Sequence, residues 1–444
     1  MTAATRVLAQ ARAAPLELAG SGVIAVGRVL HALIAAPSIL FLATLGVMLF
    51  RPPDLDLFHL DRIAFVLLVF AVMLRAFLLR QQIPWVGGVS LPMAGLIAIT
   101  TAGALSQPYD AQTWSLFAAK FLVPFVLFHL SILVFEDQKS IRMFESFALI
   151  VLAYLSFTSV CWLAGLSSLI YPRFILNESL GIHFDRARGP FLQAVANGVA
   201  LNILGVVALD SFRRKRLRGL AAFLLLASLP VAILATMTRA VWLSFSGSIV
   251  VLMFLRSNQR LRRACFALTL AGGAGLVVAL GTGHFRSTLE DRAQESGPVE
   301  FRVAIYRASW DLVRAKPLLG WGQNQMNAEI VRRIPEFRVD AFCTHNTYLE
   351  LVGEQGVLGL TLYAAIFVGL LRLGRRAGLK ILAHDCEIID FRSIWPLLLA
   401  VYLFNAFFVV MSYQFVNSFV FTMAGIIAAQ HARNSRFDSN VRTS

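Results

Sequence analysis

Charge is scarce in this sequence. Asp, Glu, Lys and Arg make up 15% of its 444 residues, while hydrophobic residues make up 58%. Soluble domains carry about 25% charged residues, and this chain has too little polar side chain to cover a water-facing surface, which excludes a soluble globular protein. Cysteine is scarce too. Cys161, Cys265, Cys343 and Cys386 form no CxxC pair and no zinc-type spacing, and a structural disulfide is not expected. A phosphate-cradling Walker loop and a GxSxG nucleophile elbow are missing. Glu290, Asp291, Glu295 and Glu300 read as a solvated face; they lack the DxD-like clustering that would hold a metal-bound pyrophosphate, so no metal and no cofactor are expected. No internal repeat, low-complexity tract or Gly/Ser linker is visible, and residues 1–20 show no signal-peptide pattern.

What fills the chain instead is a series of apolar segments of the length a hydrocarbon core demands. With a mean hydropathy of +0.70, they predict an all-α integral membrane protein of about twelve transmembrane helices. The expected spans are 33–50, 61–79, 88–105, 115–135, 145–169, 191–210, 219–236, 239–255, 264–281, 353–371, 394–411 and 414–430. The net charge of +15 then has a membrane explanation, and no nucleic-acid partner is expected. Arg213-Arg214-Lys215-Arg216 with Arg218 lies between spans six and seven. Arg256, Arg260, Arg262 and Arg263 lie between spans eight and nine, and Arg372, Arg375, Arg376 and Lys380 follow span ten. With twelve spans these basic loops share one side with both termini, and the positive-inside rule makes that side the cytoplasm. Five regions follow: a cytoplasmic lead-in at 1–32, nine spans within 33–281, a large outward loop at 282–352, three spans within 353–430, and a cytoplasmic tail at 431–444. In a bacterium with two membranes, outward means periplasmic.

The outward loop is organised. Phe301, Ile305, Ala308 and Leu312 fall at helical spacing while Arg302, Asp311 and Arg314 lie off that stripe, predicting an amphipathic helix over 301–316. Pro317 stops it, Gly320 and Gly322 mark a turn, and a second short helix over 324–334 ends at Pro335. Thr344-His345-Asn346-Thr347 follows at the start of a new helix, where Thr347 and Glu350 have capping-box spacing. Gly353, Gly356 and Gly359 at helical spacing predict close helix packing.

Several side chains invite chemistry. At a helix N-terminus the imidazolium form of His345 is disfavoured, and a neutral imidazole serves either as a general base or as a cap bonding a carbonyl. Arg186, Arg188, Arg239 and Arg302 all fall on outward edges, where guanidinium groups suit a lipid-borne phosphate or pyrophosphate, or simply reach to headgroups. His183 near the Arg186 pair is a second acid or ligand, or a surface residue. Lys120 and His129 lie within span four, where ionisable groups are functional hypotheses. Asn197 reads as a helix–helix hydrogen bond or part of a site.

These residues carry a family likeness. Arg302, Trp310, Pro317, Gly320-Trp321-Gly322, His345-Asn346-Thr347-Tyr348-Leu349-Glu350, Gly356 and Gly359 together resemble the signature of the O-antigen ligase family. So do Arg186-Ala187-Arg188-Gly189-Pro190-Phe191 with Asn197, and Thr238-Arg239 at the start of a span. Ala196-Asn197 stands where relatives often have Pro-Asn, and Thr238-Arg239 where they have Ser-Arg. The resemblance implies a GT-C-like membrane glycosyltransferase acting on the outer face of the inner membrane. Its donor would be an undecaprenyl-pyrophosphate-linked glycan, its acceptor lipid A–core, and membrane lipid its surroundings. It further implies His345 as base, Arg186, Arg188, Arg239 and Arg302 on the pyrophosphate, and Asn346, Tyr348, Trp321 and His183 in support. Polymerases and protein O-oligosaccharyltransferases share the signature. A transporter is the rival from another class, and it would show paired halves, broken helices or charges near the bilayer midplane.

Overall fold

The computed structural model describes residues 36–51, 59–181, 184–254, 259–281, 297–323, 325–335, 344–381 and 388–443. Within them the regular structure is all helical. In chain order the helices are α1 (Pro37–Leu49), α2 (Leu60–Leu78), α3 (Gly87–Leu105), α4 (Ala111–Val134), α5 (Gln138–Leu163), α6 (Ala194–Arg213) and α7 (Gly219–Ala235). There follow α8 (Arg239–Phe254), α9 (Gln259–Gly281), α10 (Gly297–Ala315), α11 (Gln325–Arg333), α12 (Thr347–Ile381), α13 (Trp395–Asn405) and α14 (Gln414–Thr443). A helix lies at each position where a span is expected. Seven of them (α3, α4, α5, α6, α9, α12 and α14) are long and apolar enough to cross a membrane, while α1, α7, α8 and α13 are shorter apolar helices. In lipid only a helix or a closed barrel satisfies its own backbone groups, and this chain uses helices. It is a membrane protein.

The bundle is built around two helices. The apolar windows of α6 and α14 are 94% and 89% buried, against 22% for α9, which presents most of its surface outward. The long α14 lies along α4, α12 lies against α3, and α5 packs on α6 and α7. Glu145 of α5 and Asp210 of α6 are buried, and Arg213, Arg214 and Arg216 close on them: Arg213 and Arg214 bond Asp210 at 2.7 and 2.9 Å, Arg216 bonds Glu145 at 2.6 Å, and Arg214 also reaches Glu145. Much of the basic turn between α6 and α7 is thus tied to acids of its own chain. Cys161 and Cys265 are free and buried; Cys343 and Cys386 lie outside the described residues.

The loop helices form a small core of their own. Ile305, Ala308 and Leu312 of α10 are buried against Met326 and Ile330 of α11, with Phe301 at the edge, while Arg302, Asp311 and Arg314 stay exposed. That is the stripe the spacing predicts. After Pro317 the chain turns back onto α12, which is broken at Gly356 (φ 69°, ψ −172°). The turn supplies what the break removes. Trp321 and Gly322 donate their N–H groups to the carbonyls of Gly353 and Glu354 (2.9 and 2.8 Å), and Val357 N–H donates to Pro317 O at 2.8 Å. Broken backbone in a membrane helix persists only with such partners. Gly356 therefore marks the break in α12 rather than a helix–helix contact: a Cβ there would press on the Leu318 carbonyl. Gly353 fits the packing expectation, since a Cβ would meet the Met326 side chain of α11.

Candidate active site

His345 sits two residues before α12 in a left-handed backbone conformation (φ 50°). The helix start is pinned from both sides. Asn346 caps it, its Oδ1 accepting from the N–H groups of Tyr348 and Leu349 at 3.0 Å. Thr347 N–H donates to Ala406 O at 2.9 Å, and the Thr347 hydroxyl donates to Val409 O (2.7 Å) while accepting from Met411 N–H (3.0 Å). The cap is therefore Asn346, and the expected Thr347–Glu350 capping box does not form, because Glu350 points to Lys120 instead. A capping Asn with the next threonine stapled to the α13–α14 connection leaves His345 few ways to move. Its ring is half-buried and has no hydrogen-bond partner among the described residues. Burial, and then the charge of Arg302, hold its pKa below the ordinary imidazole value. The helix terminus named from the sequence acts in the same direction, but burial is the larger cause.

Arg302 stands in the first turns of α10 with its side chain exposed, close enough to His345 for its charge to act there. Arg239 begins α8, exposed, after a turn in which Met237 takes a positive φ of 45° and Trp242 anchors its indole N–H on Ile233 O at 2.9 Å. Arg186 lies on the segment that enters α6, half-buried, with Asp185 at 3.5 Å. Two contacts bring these loops together. Ala187 N–H donates to Ala235 O, at the end of α7, at 3.0 Å, placing the Arg186 segment against the turn that carries Arg239. Asn197 of α6 donates to Ala187 O at 2.9 Å and to Ser159 of α5 at 3.0 Å, so it fixes that segment in place. The His345 end is tied to the same level of the bundle. Ser244, near the start of α8, accepts from Asn405 at the end of α13 (3.0 Å) and from Asn202 of α6 (2.9 Å), and Ala406 is the residue that Thr347 bonds. His345, Arg302, Arg239 and Arg186 therefore gather at one end of the bundle.

Arg188 is committed elsewhere. It is 2% exposed, and its Nε, Nη1 and Nη2 donate to the carbonyls of Ile175, Leu180 and Asn177 at 3.0, 2.5 and 2.5 Å. Three neutral acceptors around one guanidinium make it the clamp of the 175–180 loop. Tyr348 and Trp321 are also held structurally: the Tyr348 hydroxyl donates to Leu403 O (2.8 Å), and the Trp321 indole donates to Leu312 O (2.8 Å) with Lys316 over its ring at 4.0 Å. His129 bonds Ser90 and the Phe125 carbonyl within the bundle, away from the gathered arginines. His183 lies outside the described residues. Among the described residues no three His, Cys, Asp or Glu side chains are grouped to hold a metal ion.

Sequence reading missed one cluster. Lys120 is buried and pairs with Glu350 at 2.9 Å, with Glu354 at 3.9 Å. A π-helical turn, Ala118–Leu122, carries the lysine, and Asn417 of α14 donates to the Ala119 carbonyl at 3.3 Å. Two glutamates four apart on an apolar helix were the available signal.

Residues 220–364 match the model of a family described as O-Antigen ligase. No curated protein matches the chain. The matched stretch runs from α7 into α12 and contains Arg239, Arg302 and His345; Arg186 and Arg188 precede it.

Proposed function

We propose that this chain, whose residues 220–364 match the model of the O-antigen ligase family, transfers a glycan from undecaprenyl pyrophosphate to lipid A–core. The family supports membrane glycosyl transfer of the ligase or polymerase type; the particular donor, acceptor and residue roles are our reading. In it the protein is a twelve-span, GT-C-like enzyme of the bacterial inner membrane with cytoplasmic termini, and helices α10 and α11 roof a periplasmic site. The observation that carries the reading is His345, an imidazole held towards its neutral form and without a hydrogen-bond partner among the described residues, beside the exposed guanidinium of Arg302.

The chemistry follows from those groups. The acceptor hydroxyl oxygen attacks the anomeric carbon as the bond from that carbon to the pyrophosphate oxygen breaks. The hydroxyl proton passes to His345, and the bonding electron pair leaves with the pyrophosphate. A neutral imidazole takes up a proton where an imidazolium cannot. Charge grows on the leaving oxygen, and guanidinium groups that are charged at every working pH stabilise it there. Arg302, Arg239 and Arg186 fill that role. Arg188 holds the loop through the carbonyls of Ile175, Leu180 and Asn177, which supports Arg186 as the ligand of the pair. Asn346 positions His345 through the helix cap. A single displacement inverts the anomeric centre.

The test is reconstitution. Liposomes holding the purified protein receive undecaprenyl-pyrophosphate-linked glycan and lipid A–core, with chelator and no nucleotide. The proposal expects glycan joined to lipid A–core. Lengthened lipid-linked glycan alone would make the protein a polymerase and overturn the acceptor.

A further inference from the structure

The turn that docks onto the broken helix also closes a space of its own. Between the end of α3, the turn after α10 and the break in α12 lies a cavity of about 400 Å³, a volume in the roughly 300–1,000 Å³ range of small-molecule sites. Its walls include Gln107, Lys316, Trp321, Gln323, Glu354 and Gln355. Gln323 is 4% exposed, yet neither its Oε1 nor its Nε2 has a hydrogen-bond partner among the described residues. Gln355 is 3% exposed; its Nε2 donates to Glu354 Oε2 at 3.4 Å, and its Oε1 has no such partner. Buried amide groups are ordinarily satisfied, and leaving them bare is costly. Both residues border one cavity.

We propose that this cavity is a glycan subsite, in which Gln323, Gln355 and Glu354 bind sugar hydroxyls. A primary amide sets a donor beside an acceptor, which matches hydroxyls that do both. The buried carboxyl group of Glu354 adds a further hydrogen-bonding group. The amides disfavour a purely apolar occupant. The described lining residues include one cation, Lys316, whose Nζ sits over the Trp321 ring at 4.0 Å, and no arginine, so the cavity lacks the guanidinium groups of the His345 end. It is also within reach of the reacting centre: Thr347 and Gln355 are eight residues apart on α12, about 12 Å of helix. The inference rests on the glycosyl-transfer reading for where the sugar comes from. The shared chemistry fits either the donor glycan beyond its first sugar or the oligosaccharide of the acceptor.

Two measurements on the full-length protein in detergent or liposomes test it. Tryptophan fluorescence is titrated with two free oligosaccharides, one released from the donor lipid and one from delipidated core, with Trp321→Phe as the control that identifies the reporting ring. Wild type should respond saturably to one of them, and that one assigns the source. Gln323→Leu should weaken the response about tenfold, while the melting temperature holds or rises because an unsatisfied buried amide has gone. In the transfer assay the same variant should raise the KM for that substrate about tenfold with kcat within about twofold. Unchanged binding and KM in Gln323→Leu and Gln355→Leu would overturn the subsite, as would a fall in melting temperature with KM unaltered. Saturable binding without any transfer would leave the subsite standing and defeat the enzyme reading instead.

Discussion

Arg186 and Arg188 are two residues apart, and their substitutions should fail in different ways. Arg188 is buried and donates three hydrogen bonds to the carbonyls of Ile175, Asn177 and Leu180. Hydrogen bonds from a charged donor contribute about 1.5–3 kcal/mol each. The three do not add fully, because a released loop relaxes and water reaches some of the carbonyls, so Arg188→Gln should cost about 3–5 kcal/mol. Arg186 is half-buried, and its ion pair with Asp185 at 3.5 Å is of a kind that contributes about 0–1 kcal/mol. Thermal unfolding in detergent should therefore fall by roughly 3–5 °C for Arg188→Gln and by about 1 °C or less for Arg186→Gln. Transfer assayed well below either transition should show the reverse: the surviving folded Arg188 variant turns over, while Arg186→Gln loses about 10²-fold or more with its fold intact. An Arg188 variant that melts like wild type yet transfers nothing would refute the clamp and return Arg188 to the pyrophosphate.

Other perturbations have equally definite outcomes. Lys120→Met leaves Glu350 and Glu354 together without their cation in a buried site, so it should destabilise by about 3–5 kcal/mol, and a second change, Glu350→Gln, should recover part of that in the same unfolding assay. Gly356→Ala forces a Cβ into a positive-φ position against the Leu318 carbonyl. It should cost about 2 kcal/mol or more and expose the Pro317–Gly322 turn to protease, whereas a silent substitution would mean the break is not rigid. Arg302→Gln removes one of the two influences that lower the His345 pKa, so the acid limb of the transfer rate should move to higher pH while burial still keeps it from moving far. A limb that stays in place or moves to lower pH would separate the two residues.

The bundle was legible because hydropathy alone decides which segments enter lipid, and the α10 stripe because it is a local period of one helix. What escaped depends on partners far along the chain. Lys120 is 230 residues from Glu350, and without that contact the glutamate looks like half of a capping box. Asn346 and Thr347 are both good cap residues; the choice falls to Asn346 because Thr347 is drawn to Val409 and Met411, 62 and 64 residues away. Gly356 keeps helical spacing with its neighbours, and only the Pro317–Gly322 turn supplies the hydrogen bonds that let α12 break there. Among the arginines the sequence offers four similar edges of the membrane. The carbonyls around Arg188 set it apart, and the Ala187–Ala235 bond sets the Arg186 segment beside the Arg239 turn.

The central claim is that His345 accepts the proton of the attacking hydroxyl, and the pH dependence of transfer by wild type and His345→Ala addresses it most directly. A base whose pKa lies below the ordinary imidazole value works fully above that pKa and fails as pH falls through it. Wild type should therefore hold its rate through neutrality and lose it only below about pH 6.5. His345→Ala, shown to be folded by its melting temperature, should be slower by about 10²–10⁴ and lack that acid limb. A folded His345→Ala protein that keeps the wild-type rate, or keeps the same acid limb, would contradict the account.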